Sequence, residues 1–193
     1  TVLAAGTDKL VHVWRVSALR TIEAHEGSAT AVAFVGDGSR FATTGEAGTV
    51  RLWPLEAVDA KPVLELKGGA EILSSLVADA AGTLLTAAGA DGKLYTWKLE
   101  DGSLVSTVET PAAVTGLSLA GTPPKLAVAG HDRSVRVFSP QDGRLLEEIR
   151  VPLPKPPEAA TEAAEEEPPP PLQVALASDG GRVFVNAANE GRI

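Results

Sequence analysis

Four stretches of sequence share one pattern and decide the fold: GTDKLVHVW (residues 6–14), GEAGTVRLW (45–53), GADGKLYTW (89–97) and GHDRSVRVF (130–138). Each begins with glycine, passes through a short polar turn and ends in an aromatic residue. The terminal aromatic residues are 39, 44 and 41 positions apart. A fixed period of this length indicates an architecture built from repeated units.

Each stretch reads as part of a group of four β-strands. An apolar segment precedes every turn, so that the two together read as a hairpin closed by Gly, Asp or Asn. A short strand is predicted further upstream, at residues 31–34, 75–78, 116–119 and 173–176. A last strand is predicted after each aromatic residue, at 19–24, 62–67, 103–108 and 144–149. Repeated groups of four short antiparallel strands are typical of β-propeller blades. A β-sandwich is the alternative, but it gives no reason to repeat an aromatic residue at a fixed position.

The chain is therefore expected to be all-β, a β-propeller of four-stranded antiparallel blades. Its 193 residues would form an incomplete arc of about four to five blades, because a seven-bladed ring needs roughly 290 residues at this period. The remaining blades are expected in the same chain. The predicted blade units are residues 1–24, 25–67, 68–109, 110–150 and 172–193.

An insertion separates the last two units, at residues 151–171. It holds 8 of the 14 prolines, with five Glu against one Lys. Such a composition cannot bury a core and favours an extended, solvated segment. Two interpretations stay open: a tolerated loop, and an acidic docking segment for a basic partner.

Composition excludes several classes of function. Apolar residues make up 44% of the chain and charged residues 22%, as in globular domains. The net charge of −8 disfavours binding to nucleic-acid phosphates or to an anionic membrane surface. No apolar run reaches the roughly 18 residues of a membrane span. The absence of Cys excludes disulfides and thiolate chemistry, but leaves the compartment open between cytoplasm and periplasm.

The repeats resemble the WD40 repeat family. The best unit is residues 24–54, AHEGSATAVAFVGDGSRFATTGEAGTVRLWP. It follows the family order of Gly-His, a strand, a Pro-Asp-Gly-like turn, Leu-Ala-Ser-Gly and Val-Arg-Leu-Trp-Asp. Gly-His has become Ala24-His25, and Trp-Asp has become Trp53-Pro54.

The resemblance implies a buried His–Ser/Thr–Asp–Trp hydrogen-bond network in each blade. No unit holds all four residues, because Ala47 stands for the Asp in the second unit, Gly69 and Ala87 replace partners in the third, and the fourth has the Asp alone. Apolar packing between blades is therefore expected to dominate. The residues expected to fill structural positions of the repeat are Trp14, His25, Thr43, Trp53, Asp91, Trp97, Asp132 and Phe138.

Two turn positions and one strand position complete the set of candidate residues. The resemblance implies that the second turn residue lies on the top face near a central channel, where it could contact a partner; this set is Thr7, Glu46, Ala90, His131 and Asn189. The next position is expected to form the turn, and it holds Asp8, Asp91, Asp132 and Glu190. The position two residues before the aromatic is expected to be a polar blade position, and it holds His12, Arg51, Tyr95 and Arg136.

The resemblance implies a non-catalytic interaction scaffold that binds a protein or peptide partner on its top face. No catalytic set, metal-ligand spacing or cofactor motif is legible in the chain. Two alternatives stay open. One is a propeller enzyme or ligand sensor with a channel site lined by His131, Glu46 and Asn189. The other is a structural module of a larger bacterial multidomain protein.

Overall fold

The computed structural model describes residues 2–5, 9–15, 18–56, 61–69, 72–152 and 171–186. These residues form strands and turns, and no helix occurs among them. The strands in chain order are β1 (Val2–Ala5), β2 (Leu10–Arg15), β3 (Ala18–Glu23), β4 (Ala29–Val35), β5 (Arg40–Gly45), β6 (Thr49–Pro54), β7 (Leu64–Lys67), β8 (Leu73–Ala78), β9 (Leu84–Gly89), β10 (Lys93–Lys98), β11 (Leu104–Glu109), β12 (Val114–Ala120), β13 (Lys125–Gly130), β14 (Ser134–Phe138), β15 (Leu145–Arg150), β16 (Gln173–Leu176) and β17 (Val183–Asn186).

The strands form five antiparallel sheets in chain order. The first sheet is β1-β2-β3, and the last is β16-β17. Between them stand three four-stranded sheets with the orders β4-β5-β6-β7, β8-β9-β10-β11 and β12-β13-β14-β15. Within the described residues, side-chain packing joins each sheet to the next in chain order, and the sheets do not close into a ring. The predicted fold class, all-β with four-stranded antiparallel propeller blades, is confirmed.

Each sheet has two distinct ends. The top face carries the β5–β6, β9–β10 and β13–β14 turns and Lys9, which leads into β2. The bottom face carries the β4–β5, β8–β9, β12–β13 and β16–β17 hairpins. At the fourth position of every top turn the backbone is left-handed, at Lys9 (φ 72°), Gly48 (φ 63°), Gly92 (φ 77°) and Arg133 (φ 60°). Glycine adopts this conformation without steric cost, whereas lysine and arginine do not.

The inner strands β4, β8 and β12 each contain a β-bulge. The register shifts between Ala29 and Ala31, between Leu73 and Ser75, and between Val114 and Gly116. A bulge places one extra residue on one strand without ending the pairing. These strands therefore begin two residues before the predicted starts. The outer strand β7 begins at Leu64 instead of at the predicted Pro62, consistent with the missing N–H of proline.

Apolar side chains fill the space between successive sheets. Val11, Val13 and Ile22 of the first sheet pack with Phe41 and Trp53 of the second. Equivalent clusters join the second sheet to the third, the third to the fourth and the fourth to the fifth. Side chains that alternate along each strand thus serve two cores, one on each face. The result is a frame whose turns are held in similar positions from one sheet to the next.

Candidate functional site

The candidate site is the top face, where the second residue of each turn was expected to contact a partner. Glu46, Ala90 and His131 are exposed there, at the ends of the second, third and fourth sheets. Thr7 and Asn189 lie outside the described residues, as do the turn positions Asp8 and Glu190. The chemistry exposed at the three described turns is thus a carboxylate, a methyl group and an imidazole.

The same backbone hydrogen bond fixes all three of these turns. The amide of Glu46 donates to Ser28 O at 3.3 Å, and the amide of Ala90 donates to Ile72 O at 2.9 Å. The amide of His131 donates to Ala113 O at 2.9 Å. Each bond ties a turn to the segment that enters its own sheet. The side chains therefore vary while the backbone that presents them is repeated.

Glu46 also has a local hydrogen bond of its own. Its Oε2 accepts a bond from the amide of Ser28 at 3.2 Å and lies over Gly27, where a Cβ would come within 2.7 Å of that oxygen. The carboxylate thus folds back onto the loop that leads into β4. This contact gives Glu46 a structural role beside its exposure.

A hydrogen-bonded chain braces the second sheet. His25 Nε2 lies 2.9 Å from Thr43 Oγ1, and Trp53 Nε1 donates to the same oxygen at 2.9 Å. His25 belongs to the β3–β4 connection, Thr43 to β5 and Trp53 to β6, so the chain joins three segments. Gly45 leaves room for the imidazole, because a Cβ there would stand 2.6 Å from His25 Cγ.

The imidazole of His25 is neutral at pH 7. Burial is the main cause that lowers the pKa of His25 to about 4, and the Arg51 guanidinium adds to it. The Nδ1 atom is buried and has no hydrogen-bond partner within the described part of the chain. Residue 47 is Ala, whereas the equivalent positions of the third and fourth sheets hold Asp91 and Asp132.

In the third sheet a tyrosine takes the place of the missing histidine. The Tyr95 hydroxyl donates to Asp91 Oδ2 at 2.6 Å. A Cβ at Gly69 would be 2.8 Å from that hydroxyl oxygen, so glycine provides the space that the ring needs. Burial and the bond to Asp91 raise the pKa of Tyr95 to about 12. Asp91 also accepts a bond from the amide of Lys93 at 3.2 Å, which holds the turn.

In the fourth sheet an arginine donates the hydrogen bond to the turn aspartate. Arg136 donates to Asp132 Oδ2 and to Glu148 Oε1, both at 2.8 Å. Asp132 Oδ1 accepts from the amide of Ser134 at 3.2 Å and from its hydroxyl at 2.5 Å. The hydrogen bond from Arg136 is the main cause that lowers the pKa of Asp132 to about 2. Asp132 is the one residue of the four-residue network that the fourth repeat keeps, as the sequence indicates, and Arg136 supplies its partner.

The sequence signal for these partners is a spacing of four residues from aspartate to tyrosine or arginine. Arg51 holds the equivalent place in the second sheet, where no aspartate is present. The Arg51 Nε donates to Glu65 Oε2 at 3.0 Å, and the Arg51 Nη1 donates to Ala24 O at 2.7 Å. The position two residues before the aromatic, which was predicted as polar, thus supplies the side chain that pairs with the turn aspartate in the third and fourth sheets.

Two recesses open on the top face, at junctions that the second and third sheets separate. A groove of about 350 Å³ lies between the third and fourth sheets, lined by Ser74, residues 89–92 and residues 110–114. A cleft of about 380 Å³ lies between the first and second sheets, lined by Lys9, Leu10, Glu23, His25, Glu26 and Arg51. The groove presents small side chains with Asp91 as its one charge, whereas the cleft is strongly charged.

The described part of the chain places no three His, Cys, Asp or Glu side chains so that they could hold a metal ion. Among the residues that the structure describes, none forms a helix able to cross a bilayer.

The sheets are arranged as propeller blades, and comparison with known proteins finds a repeat of known type in one part of the chain. Residues 17–54 match the family described as WD domain, G-beta repeat. Two relatives, each called guanine nucleotide-binding protein subunit beta, come from Oryza sativa subsp. indica and subsp. japonica. Each is 26% identical over 153 residues, covering 71% of this chain and 40% of the relative. The chain thus spans about 40% of the length of the curated relatives it matches. The predicted resemblance to WD40 repeats is confirmed, and it supports a protein-interaction scaffold in general.

Proposed function

We propose that the chain is a non-catalytic scaffold that binds a protein or peptide partner on its top face. The WD40 repeat and the likeness to a G-protein beta subunit support this class of function. The observation that carries the proposal is the groove between the third and fourth sheets, because it lies beside a turn of fixed backbone and variable side chain.

The shape and chemistry of the groove favour an extended peptide segment. Its walls are a turn, residues 89–92, and a connection, residues 110–114, which present backbone and small side chains. Ala90 and Ala113 are exposed beside it, and Ile72 is 41% exposed nearby. The carboxylate of Asp91 at the rim favours a basic side chain in the bound segment. Recognition of this kind relies on a surface of repeated turns rather than on a deep pocket.

A pair of matched substitutions tests this proposal. Ala90→Arg places a long charged side chain beside the groove, whereas Ala81→Arg places the same side chain in the bottom hairpin of the same sheet. Both alanines are exposed, so neither change should alter the thermal unfolding temperature. Proteins co-purified with the full chain from its native host are quantified by mass spectrometry for the wild type and both variants.

The proposal expects a set of proteins that the wild type and Ala81→Arg retain and Ala90→Arg loses. An equal set in all three preparations contradicts top-face binding at the groove. A set lost only with Ala81→Arg moves the interaction to the bottom face.

A further inference from the structure

Three junctions bring successive inner strands together: β4 with β8, β8 with β12, and β12 with β16. Near the top face, these junctions differ in the hydrogen bonds that cross them. The second residue of each inner strand, at the bulge, is Thr30, Ser74 or Thr115. The Thr30 hydroxyl donates across the junction to the carbonyl of Leu73 in the third sheet. The Thr115 hydroxyl likewise donates to Leu172 O, just before β16, at 2.7 Å. These two junctions thus share a hydroxyl latch.

The junction between the third and fourth sheets lacks this latch. The Ser74 hydroxyl lies 3.4 Å from Ala88 O, a carbonyl of its own sheet. Within the described residues, no hydrogen bond from the Ser74 hydroxyl reaches the fourth sheet, and Ser74 instead lines the groove described above. Serine also lacks the γ-methyl group that biases a threonine hydroxyl toward one rotamer.

The bottom face has close backbone contacts at the same two junctions. A Cβ on Gly36 would stand 3.2 Å from the Cα of Gly82, so the hairpins of the second and third sheets touch through their backbones. A Cβ on Gly121 would stand 2.9 Å from the Cα of Gly180, which joins the fourth and fifth sheets.

Polar contacts add to the difference. The fourth and fifth sheets are also joined by Gln173 Nε2, which donates to Thr115 O at 3.0 Å, and by the amide of Leu176, which donates to Ser118 Oγ at 2.8 Å. Within the described residues, the side-chain hydrogen bond that joins the third and fourth sheets lies at their outer edge. There the Ser106 hydroxyl donates to Pro140 O at 2.8 Å.

The inner parts of the third and fourth sheets are therefore held by apolar contact. Leu84, Ala88 and Leu94 pack with Leu126 and Phe138 across this junction. Apolar packing is non-directional, so it tolerates a small rotation better than a hydrogen bond or a backbone contact does. A contact fixed at the outer edge and loose at the inner edge is the geometry of a hinge.

We propose that the junction between the third and fourth sheets is a hinge. The second and third sheets move as one body, and the fourth and fifth sheets move as another. The axis runs along the outer edge beside Ser106 and Pro140, so rotation widens or narrows the groove on the top face. The hinge is a property of the chain itself and does not require the partner of the proposed scaffold function.

The absence of cysteine allows a direct test on the full chain. Cysteine pairs carrying nitroxide labels are placed at equivalent exposed turn positions, Glu46 with Ala90 across the latched junction and Ala90 with His131 across the hinge. Electron–electron resonance then gives a distance distribution for each pair. The distribution for 90 with 131 should be the broader of the two.

Two substitutions add or remove the hydroxyl bond that crosses a junction. Ser74→Thr supplies a latch at the hinge and should narrow the distribution for 90 with 131. Thr30→Val removes the hydroxyl at nearly constant volume, and should broaden the distribution for 46 with 90 while leaving the other unchanged. Equal widths in the parent chain overturn the proposal, and so does a Thr30→Val chain that folds and keeps its narrow distribution. The widths do not depend on a partner, so an equal set of co-purified proteins in the wild type and Ala90→Arg would contradict binding at the groove and leave the hinge untouched.

Discussion

Restoring an aspartate at position 47 tests how the second sheet is braced. Asp91 and Asp132 hold this turn position in the next two sheets, where each accepts a hydrogen bond from a side chain. Ala47 leaves the buried Nδ1 of His25 without a partner within the described residues. In Ala47→Asp, the carboxylate should accept a hydrogen bond from Nδ1–H, while Nε2 accepts from the Thr43 hydroxyl.

The size of the gain follows from the cost of an unpaired buried group. A hydrogen bond to a charged group contributes about 1.5–3 kcal/mol when both partners are buried. Position 47 is exposed, so solvent screening reduces the expected gain to about 1 kcal/mol. The added negative charge also favours the imidazolium, and the pKa of His25 should rise from about 4 by about one unit.

Two measurements follow this change. Urea unfolding at pH 7 gives the free energy of unfolding, and an NMR titration of the imidazole resonances gives the pKa of His25. Ala47→Asn is the matched control, because its amide oxygen can accept the same bond without a charge. It should give part of the stability gain and a smaller rise in pKa. An Ala47→Asp chain with unchanged stability and an unchanged His25 pKa would refute the reasoning.

The wild-type pKa of His25 also sets an acid sensitivity. The unfolded chain binds a proton at this residue below about pH 6.5, whereas the folded chain does so near pH 4. Stability is therefore lost as pH falls from 6.5 toward 4, by at most about 3 kcal/mol at 1.36 kcal/mol per pKa unit. The residue borders an open cleft, so screening brings the expected loss to about 1–2 kcal/mol. His25→Gln should flatten the stability profile in this pH range, and a slope that persists in that variant would assign the effect to other groups.

Three further substitutions test neighbouring features by urea unfolding. Gly69→Ala places a Cβ within 2.8 Å of the Tyr95 hydroxyl and should destabilise the chain by about 1–2 kcal/mol; an unchanged midpoint would show that the ring is not held there. Lys9→Gly relieves a left-handed backbone and should stabilise by about 0.5–1 kcal/mol after the greater entropy of unfolded glycine, so a loss of stability would count against the turn. Asp132→Asn removes a charged acceptor of Arg136 and should cost about 1 kcal/mol at pH 7, with the difference from wild type vanishing as pH falls from 3.8 through about 2, the pKa of Asp132 in the folded chain.

The sheets and their order were predictable because the determining features are local. The aromatic residue, the polar turn and the alternating strands recur within each repeat, and short loops leave adjacent strands no other partners. The bulges were not predictable in this way. A bulge depends on how an inner strand meets its neighbour, and the threonine latches depend on carbonyls 43 and 57 residues away in sequence.

The candidate site was predictable in outline and not in detail. The exposed turn residues Glu46, Ala90 and His131 stand where the repeat register would place them, while their contact with a partner stays a prediction. The pairing of Tyr95 with Asp91 was missed, because the expected network named histidine as the partner of the aspartate. Tyr95 takes the place of the missing histidine only because Gly69 leaves room for its ring, and this contact depends on the folded arrangement of the third sheet.

The central structural claim is that the sheets pack face to face in chain order. Methyl-labelled NMR of the full chain tests this most directly, through contacts between side chains of different sheets. The account predicts contacts that join the second sheet to the third, through residues such as Leu52 and Leu85, and the third to the fourth, through residues such as Leu94 and Leu126. Contacts that join the second sheet directly to the fourth, as a sandwich would produce, would contradict it.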